Sequence, residues 1–211
     1  SNGAAIYNKK TGERIHGVAI ESVDLHSILD AFAPYFEKGQ IAYEAFVDGV
    51  AYGGRAYVEH PEAFGVPERN VAYVQSTRKP VDDILAFLSE HEEELDSLDI
   101  VAVNPMLYQE IEDQIPRITK AVYVTSAVSY RLEISHKDSG KAAGLAYVLD
   151  LLGIAPEETI AFGDGDNDAE MLAFAGLGVA MENATEKCKA AADAVCDRCE
   201  NDGVARFLYG F

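Results

Sequence analysis

Along the first third of the chain the apolar residues change period several times, and each change marks an element. Ala4–Tyr7 and Arg14–Ala19 alternate around the polar turn Asn8-Lys9-Lys10-Thr11-Gly12, which predicts a hairpin. Leu25, Ile28, Leu29 and Phe32 then recur at helical spacing behind Asp24, a good N-cap. Ile41–Val47 and Val50–Val58 read as strands joined by Asp48-Gly49, a strong short-range hairpin signal. Residues 59–70, with Pro61 and Pro67, read as irregular.

Lys79-Pro80 is expected to open a helix with Val81, Ile84, Leu85 and Leu88 on one face, and His91-Glu92-Glu93-Glu94 as its solvated tail. Asp99–Val103 reads as a strand, Pro105 as the first turn of a helix running through Ile111 to Ile115, and Ala121–Thr125 and Ser129–Ile134 as two more strands. Helices and strands in this order predict a compact α+β domain with its own sheet.

From Ser135 the rhythm becomes helix–strand alternation. A helix from Lys141 carries Ala142, Leu145, Ala146, Leu149 and Leu152 and ends at Gly153. Strands follow near residues 160, 179 and 195, separated by helices from Asp168 and Thr185, with a closing helix over Glu200–Phe211. Such alternation implies a parallel sheet. Three strands are few for a sheet that must be covered on both faces, so a further core segment upstream is expected. The expected fold class is α/β: a partial parallel-sheet core made of residues 1–20 and 131–211, with residues 21–130 inserted as a second, α+β domain.

The chemistry concentrates in Gly163-Asp164-Gly165-Asp166-Asn167-Asp168. Thr159–Phe162 leads in as a short buried strand, and Gly163 suits a sharp turn at its end. Three carboxylates and an amide thus gather at the C-terminal end of a strand, where open α/β sheets bind ligands. Carboxylates this close repel one another, and a hard cation such as Mg²⁺ would relieve that. A solvated acidic turn is the plain alternative. An EF-hand loop is excluded: counted from Asp164, Ala169 stands where that loop needs Gly and Ala175 where it needs Glu.

Composition narrows the partners. Thirty-six acidic against 17 basic residues leave a net charge of −19, which disfavours nucleic acid and anionic membrane surfaces. No apolar run is long enough to span a bilayer and no signal peptide opens the chain, so a cytoplasmic location is expected. Cys188, Cys196 and Cys199 lack the partners of a zinc-finger site and are expected to be reduced thiols.

Taken together, several segments resemble the haloacid dehalogenase-like hydrolases, specifically their Cof-type sugar-phosphatase branch. They are Gly163-Asp164-Gly165-Asp166-Asn167-Asp168-Ala169-Glu170-Met171-Leu172, the helix-start Lys141, Met181-Glu182-Asn183-Ala184, Asn201-Asp202-Gly203-Val204 and Ser1-Asn2-Gly3-Ala4. The resemblance implies a Rossmann-like core with an inserted cap. It also implies a Mg²⁺-dependent phosphatase of small phosphorylated metabolites that works through an aspartyl-phosphate. By the same resemblance Asp164 would ligate Mg²⁺, Asp168 would support the metal shell or orient the lysine, and Asn167 would contact the phosphoryl group. Lys141 would neutralise the phosphoryl oxygens. In the cap, Arg55, Tyr57, His60 and Arg78 are candidates to face the substrate.

The family's nucleophile motif, Asp-x-Asp-Gly-Thr, does not occur in these 211 residues, nor does its second motif, a Ser or Thr ending a strand. The chain is therefore expected to lack the N-terminal core and to be inactive alone. A phosphomutase, and a non-catalytic fragment or pseudoenzyme acting as a binding module, stay open as alternatives.

Overall fold

The computed structural model describes residues 2–210; Ser1 of the Ser-Asn-Gly-Ala segment and Phe211 of the closing helix lie outside them. Contacts divide the chain into two compact units, one holding Gly3–Asp138 and the other Asn2 with the chain from Ser139 onward.

The first unit begins with the hairpin β1 (Ala5–Tyr7) and β2 (Arg14–Gly17), which pair antiparallel as a sheet of their own. Then come α1 (Ser22–Glu37), β3 (Ile41–Val47), β4 (Val50–Gly54), α2 (Arg55–Glu59), α3 (Glu68–Thr77), β5 (Arg78–Val81) and α4 (Ile84–Glu90). They are followed by β6 (Leu95–Ala102), α5 (Pro105–Ile118), β7 (Val122–Val128) and β8 (Arg131–His136). Six strands form one sheet in the order β5-β4-β3-β6-β8-β7, antiparallel except for the β4–β5 pair. Asp48 and Gly49, with φ of 50° and 71°, make the turn between β3 and β4. On one face of the sheet Leu25, Ile28 and Phe32 of α1 and Leu107, Ile111 and Ile115 of α5 pack against Tyr43, Ala45, Leu98, Ile100, Leu132 and Ile134.

Three expectations change here. The strand expected to run to Val58 stops at Gly54 and becomes α2. A Cβ on Gly53 would lie 3.0 Å from the side chains of Tyr57 and Val58, so the chain folds back on its own strand at a residue without one. Lys79-Pro80 lies in the edge strand β5, where a missing N–H is tolerated. The helix starts only after Asp83, whose Oδ1 accepts from the N–H groups of Leu85 and Ala86 at 3.0 and 3.1 Å. The boundary between units falls after Asp138 instead of 130, because β8 is the hairpin partner of β7 and also pairs with β6. The β1–β2 hairpin goes with the first unit, where Tyr7 donates to buried Asp96 at 2.7 Å and Arg14 lies 3.0 Å from it.

The second unit comprises α6 (Lys141–Leu152), β9 (Ile160–Gly163), α7 (Ala169–Phe174), β10 (Leu177–Met181), α8 (Glu186–Ala191), β11 (Ala194–Cys196) and α9 (Gly203–Tyr209). Its three strands are parallel in the order β11-β10-β9. Leu172, Val179, Ala180, Met181, Cys188 and Cys196 form its core. The three cysteines are free; Cys188 and Cys196 are buried, whereas Cys199 is exposed. Among the described residues no helix is long and apolar enough to cross a membrane.

Nineteen excess negative charges on 211 residues repel one another in the compact state. Salt shortens the reach of that repulsion from ~30 Å at 0.01 M to ~3 Å at 1 M. Raising KCl over that range is therefore expected to raise the melting temperature by on the order of 5 °C in scanning calorimetry. A flat or falling trend would show that the acidic surface carries no net strain.

Candidate active site

The parallel sheet of the second unit sends all three strand ends the same way, and the loop after β9 carries the acidic motif there. Gly163 is not at a positive φ, so turning is not its task. A Cβ on Gly163 would lie 2.4 Å from the Asp168 Cβ, so the absent side chain makes room for that aspartate. Asp166–Asp168 form a single 3-10 turn ahead of α7.

Asp168, expected at the start of a helix, turns its carboxylate backwards. Its Oδ2 accepts from the backbone N–H groups of Asp164 and Gly165 at 2.9 and 3.0 Å, and its Oδ1 accepts from Lys141 Nζ. The residue is 4 % exposed. Burial pushes its pKa up, but the Lys141 ammonium and the two N–H donors outweigh burial and hold the carboxyl below the ordinary Asp value. Asp168 is thus an anchored anion that fixes both the loop and the lysine. The Lys141 side chain keeps about a third of its surface accessible.

The remaining candidates occupy distinct positions. Asp164 is exposed next to this anchor, and its carbonyl accepts from Thr185 N at 3.0 Å. Asn167 is 5 % exposed and donates from Nδ2 to Asn2 Oδ1 at 3.1 Å. Asp166 accepts from Thr185 Oγ1 at 2.6 Å, which draws it toward the start of α8. Thr185 and Asn2 are supporting residues that sequence reading had not given a site role. Thr185 was legible as an N-cap, and it does accept from Cys188 N at 3.2 Å. Burial, with the acidic loop adding to it, pushes the Cys188 thiol up to about 11, so it stays protonated beneath the motif.

Among the described residues no group of three or more His, Cys, Asp or Glu side chains is poised for a metal. Both Asp168 oxygens are engaged, and Asp166 is tied to Thr185. Asp164 is therefore the carboxylate best placed to meet a cation. An all-oxygen donor set suits Mg²⁺, which takes one or two carboxylates and fills the rest of its shell with water and phosphate oxygens. The residues fit part of such a site.

Of the side chains expected to face substrate in the first unit, Tyr57 and Arg78 are committed elsewhere. Both are buried on Glu44: Tyr57 donates to Oε1, while Arg78 Nε and Nη2 reach Oε1 and Oε2 at 3.0 and 2.9 Å. Arg55 is exposed and paired with Asp82, and His60 is exposed 3.4 Å from Glu62.

A family model described as haloacid dehalogenase-like hydrolase matches residues 1–208. Among curated proteins, the phosphoglycolate phosphatase of Methanopyrus kandleri is 34 % identical over 159 residues, covering 74 % of this chain and 68 % of that protein. Phosphatase YwpJ of Bacillus subtilis is 30 % identical over 224 residues, covering 99 % of this chain and 76 % of that protein. Among solved structures, a haloacid dehalogenase-like hydrolase from B. subtilis superposes with a TM-score of 0.78 at 24 % identity, covering 99 % of this chain and 76 % of that one. That likeness speaks for the fold.

Proposed function

Because the chain belongs to the haloacid dehalogenase-like hydrolases, we propose that it serves the hydrolysis of phosphate monoesters of small metabolites, with its acidic loop and Lys141 as the metal and phosphoryl end of the site. The observation that carries this reading is the Lys141–Asp168 pair, locked to the backbone of Asp164 and Gly165 at the end of β9. It holds a cationic side chain against the loop that carries the exposed Asp164, and a cation and a carboxylate are what phosphoryl transfer asks of a protein. The names of the two curated relatives support the phosphatase class, and that of the Methanopyrus protein a small phosphorylated substrate.

In this reading Lys141 meets the phosphoryl oxygens as a point charge and Asp168 keeps it aimed. Asp164 is the Mg²⁺ ligand, and Asn167, braced by Asn2, contacts the phosphoryl group. Mg²⁺ bound there supplies further neutralisation of phosphate charge. The first unit, with its six-stranded sheet ending at Asp138, is read as the cap that selects the substrate. No aspartate here sits in an Asp-x-Asp-Gly-Thr motif, so the 211 residues hold the phosphoryl group without the family's nucleophile.

The test is p-nitrophenyl phosphate hydrolysis with MgCl2, by these 211 residues and by the same chain extended upstream of Ser1 with an Asp-x-Asp-Gly-Thr strand from a relative. Turnover is expected from the extended form alone, and Asp164→Asn should raise its magnesium requirement. Equal turnover by both forms would place the nucleophile within this sequence. Activity in neither, with retained Mg²⁺ and phosphate binding, would favour a binding module.

A further inference from the structure

Of the three aspartates in the acidic motif, Asp166 alone has no role in the reading above. Like Asp164 it is exposed, and the two stand on either side of Gly165. The buried Cys188 thiol beneath the loop feels the charges of Asp164, Asp166 and Asp168 together, so all three gather about one spot. A cation held by Asp164 attracts any second free carboxylate this near to it.

Asp166 is not free, because Thr185 holds it. The Thr185 hydroxyl donates to Asp166 Oδ1 at 2.6 Å and accepts from Cys188 N at 3.2 Å, which fixes it at the start of α8. The backbone N–H of Thr185 donates separately to the Asp164 carbonyl at 3.0 Å. One residue thus makes two contacts with the motif that differ in kind. The backbone contact holds the loop, and it survives a change of side chain at 185. The hydroxyl contact holds one carboxylate toward α8. The choice of cation depends on that carboxylate. Mg²⁺ takes one or two carboxylates and keeps several waters, whereas Ca²⁺ takes ~6–8 oxygens in a flexible shell and gains affinity as the charge of its ligands rises. A loop that offers Asp164 alone suits the smaller, more hydrated ion, and one that offers Asp166 as well suits Ca²⁺ better.

We propose that Thr185 is a positioning residue for cation selectivity: its hydroxyl withholds Asp166 from a cation at Asp164 and so disfavours Ca²⁺ relative to Mg²⁺. The inference rests on the reading of Asp164 as the metal ligand, and it goes beyond that reading by naming the residue that limits how many carboxylates the loop presents. Asp164, Asp166 and Thr185 all belong to the second unit, so the device is complete within it.

The experiment titrates MgCl2 and CaCl2, each alone, into the full ¹⁵N-labelled chain and follows the amide signals of residues 163–168. Thr185 is exposed, so Thr185→Val removes the hydroxyl without touching the core and keeps the backbone N–H on Asp164. Calcium is expected to bind this variant roughly tenfold more tightly than it binds wild type, and magnesium less than about threefold more tightly. Thr185→Ser keeps the hydroxyl and is expected to behave as wild type. Thr185→Val/Asp166→Asn shares the lost helix cap but presents no second carboxylate, and it is expected to return to the wild-type preference. Loop shifts in wild type with an unchanged calcium preference in Thr185→Val would overturn the inference and leave the metal reading standing. A calcium gain that persists in the double variant would assign the effect to the cap and overturn the inference too. No loop shift with either cation, in wild type or variants, would overturn both.

Discussion

Asp168→Ala is expected to destabilise the second unit by about 3 kcal/mol at neutral pH, the scale of losing several charge-assisted hydrogen bonds at one buried group. The variant leaves the N–H groups of Asp164 and Gly165 without their acceptor and Lys141 without its counter-ion. Part of the loss should return in Asp168→Ala/Lys141→Met, because the double change removes the orphaned charge as well. The pH dependence has a definite sign. The folded pKa of Asp168 lies below its ordinary value, so its contribution is fully present above the unfolded value of ~3.9 and fades as pH falls through the lower, folded one. Urea unfolding at pH 7 and at pH 3 checks this: wild type should lose part of its stability at the lower pH, and Asp168→Asn should lose less. An unchanged midpoint for Asp168→Ala would mean that the anchor contributes nothing net.

Glu44→Ala is expected to cost more, about 3–5 kcal/mol, the usual consequence of breaking a buried ion pair from one side. Glu44 is fully buried at the centre of the six-stranded sheet. Across the strands it sits directly opposite Asp99, which sits opposite Glu133, so three carboxylates line up on one face. Arg78 and Arg131 hold that row together: Arg78 grips both oxygens of Glu44, and Arg131 lies 3.5, 3.3 and 2.8 Å from Glu44, Asp99 and Glu133. Removing Glu44 strands Arg78, whose side chain is 3 % exposed, together with the Tyr57 hydroxyl.

Asp99→Asn is the contrasting control. Burial pushes the Asp99 carboxyl well above the ordinary range, so its charge is already disfavoured, and Arg131 keeps two other carboxylates. Its loss should fall within about 1 kcal/mol of wild type. Equal costs for Glu44→Ala and Asp99→Asn in chemical denaturation would refute this division of labour.

These two clusters differ in how far sequence alone reveals them. The acidic motif was legible because its carboxylates are neighbours in the chain and follow an apolar strand, so their crowding needs no tertiary information. The Glu44 row was not. Its three carboxylates sit 34 to 89 positions apart in the chain, and only the strand order β3-β6-β8 lays Glu44, Asp99 and Glu133 side by side, with Arg131 among them. Arg78 and Tyr57 read as candidates to face the substrate for the same reason: nothing local says that a buried acid waits across the sheet.

What the chain determined by itself was the change of rhythm near Ser135, the Asp48-Gly49 turn, the apolar faces of α1 and α5, and the placing of Asp164–Asp168 after a parallel strand. All of these rest on periodicity, turn chemistry and spacing within one or two elements. Tertiary structure decided what depends on distant partners. It turned the Asp168 carboxylate back onto two N–H groups and Lys141 instead of onto its own helix, and it made Gly163 a matter of clearance instead of turning. It also ended β4 at Gly54, and kept β8 with the sheet of the first unit. In each case the local preference was worth less than the hydrogen bonds and packing that a second segment supplied, and that segment's position is not written near the residue it governs.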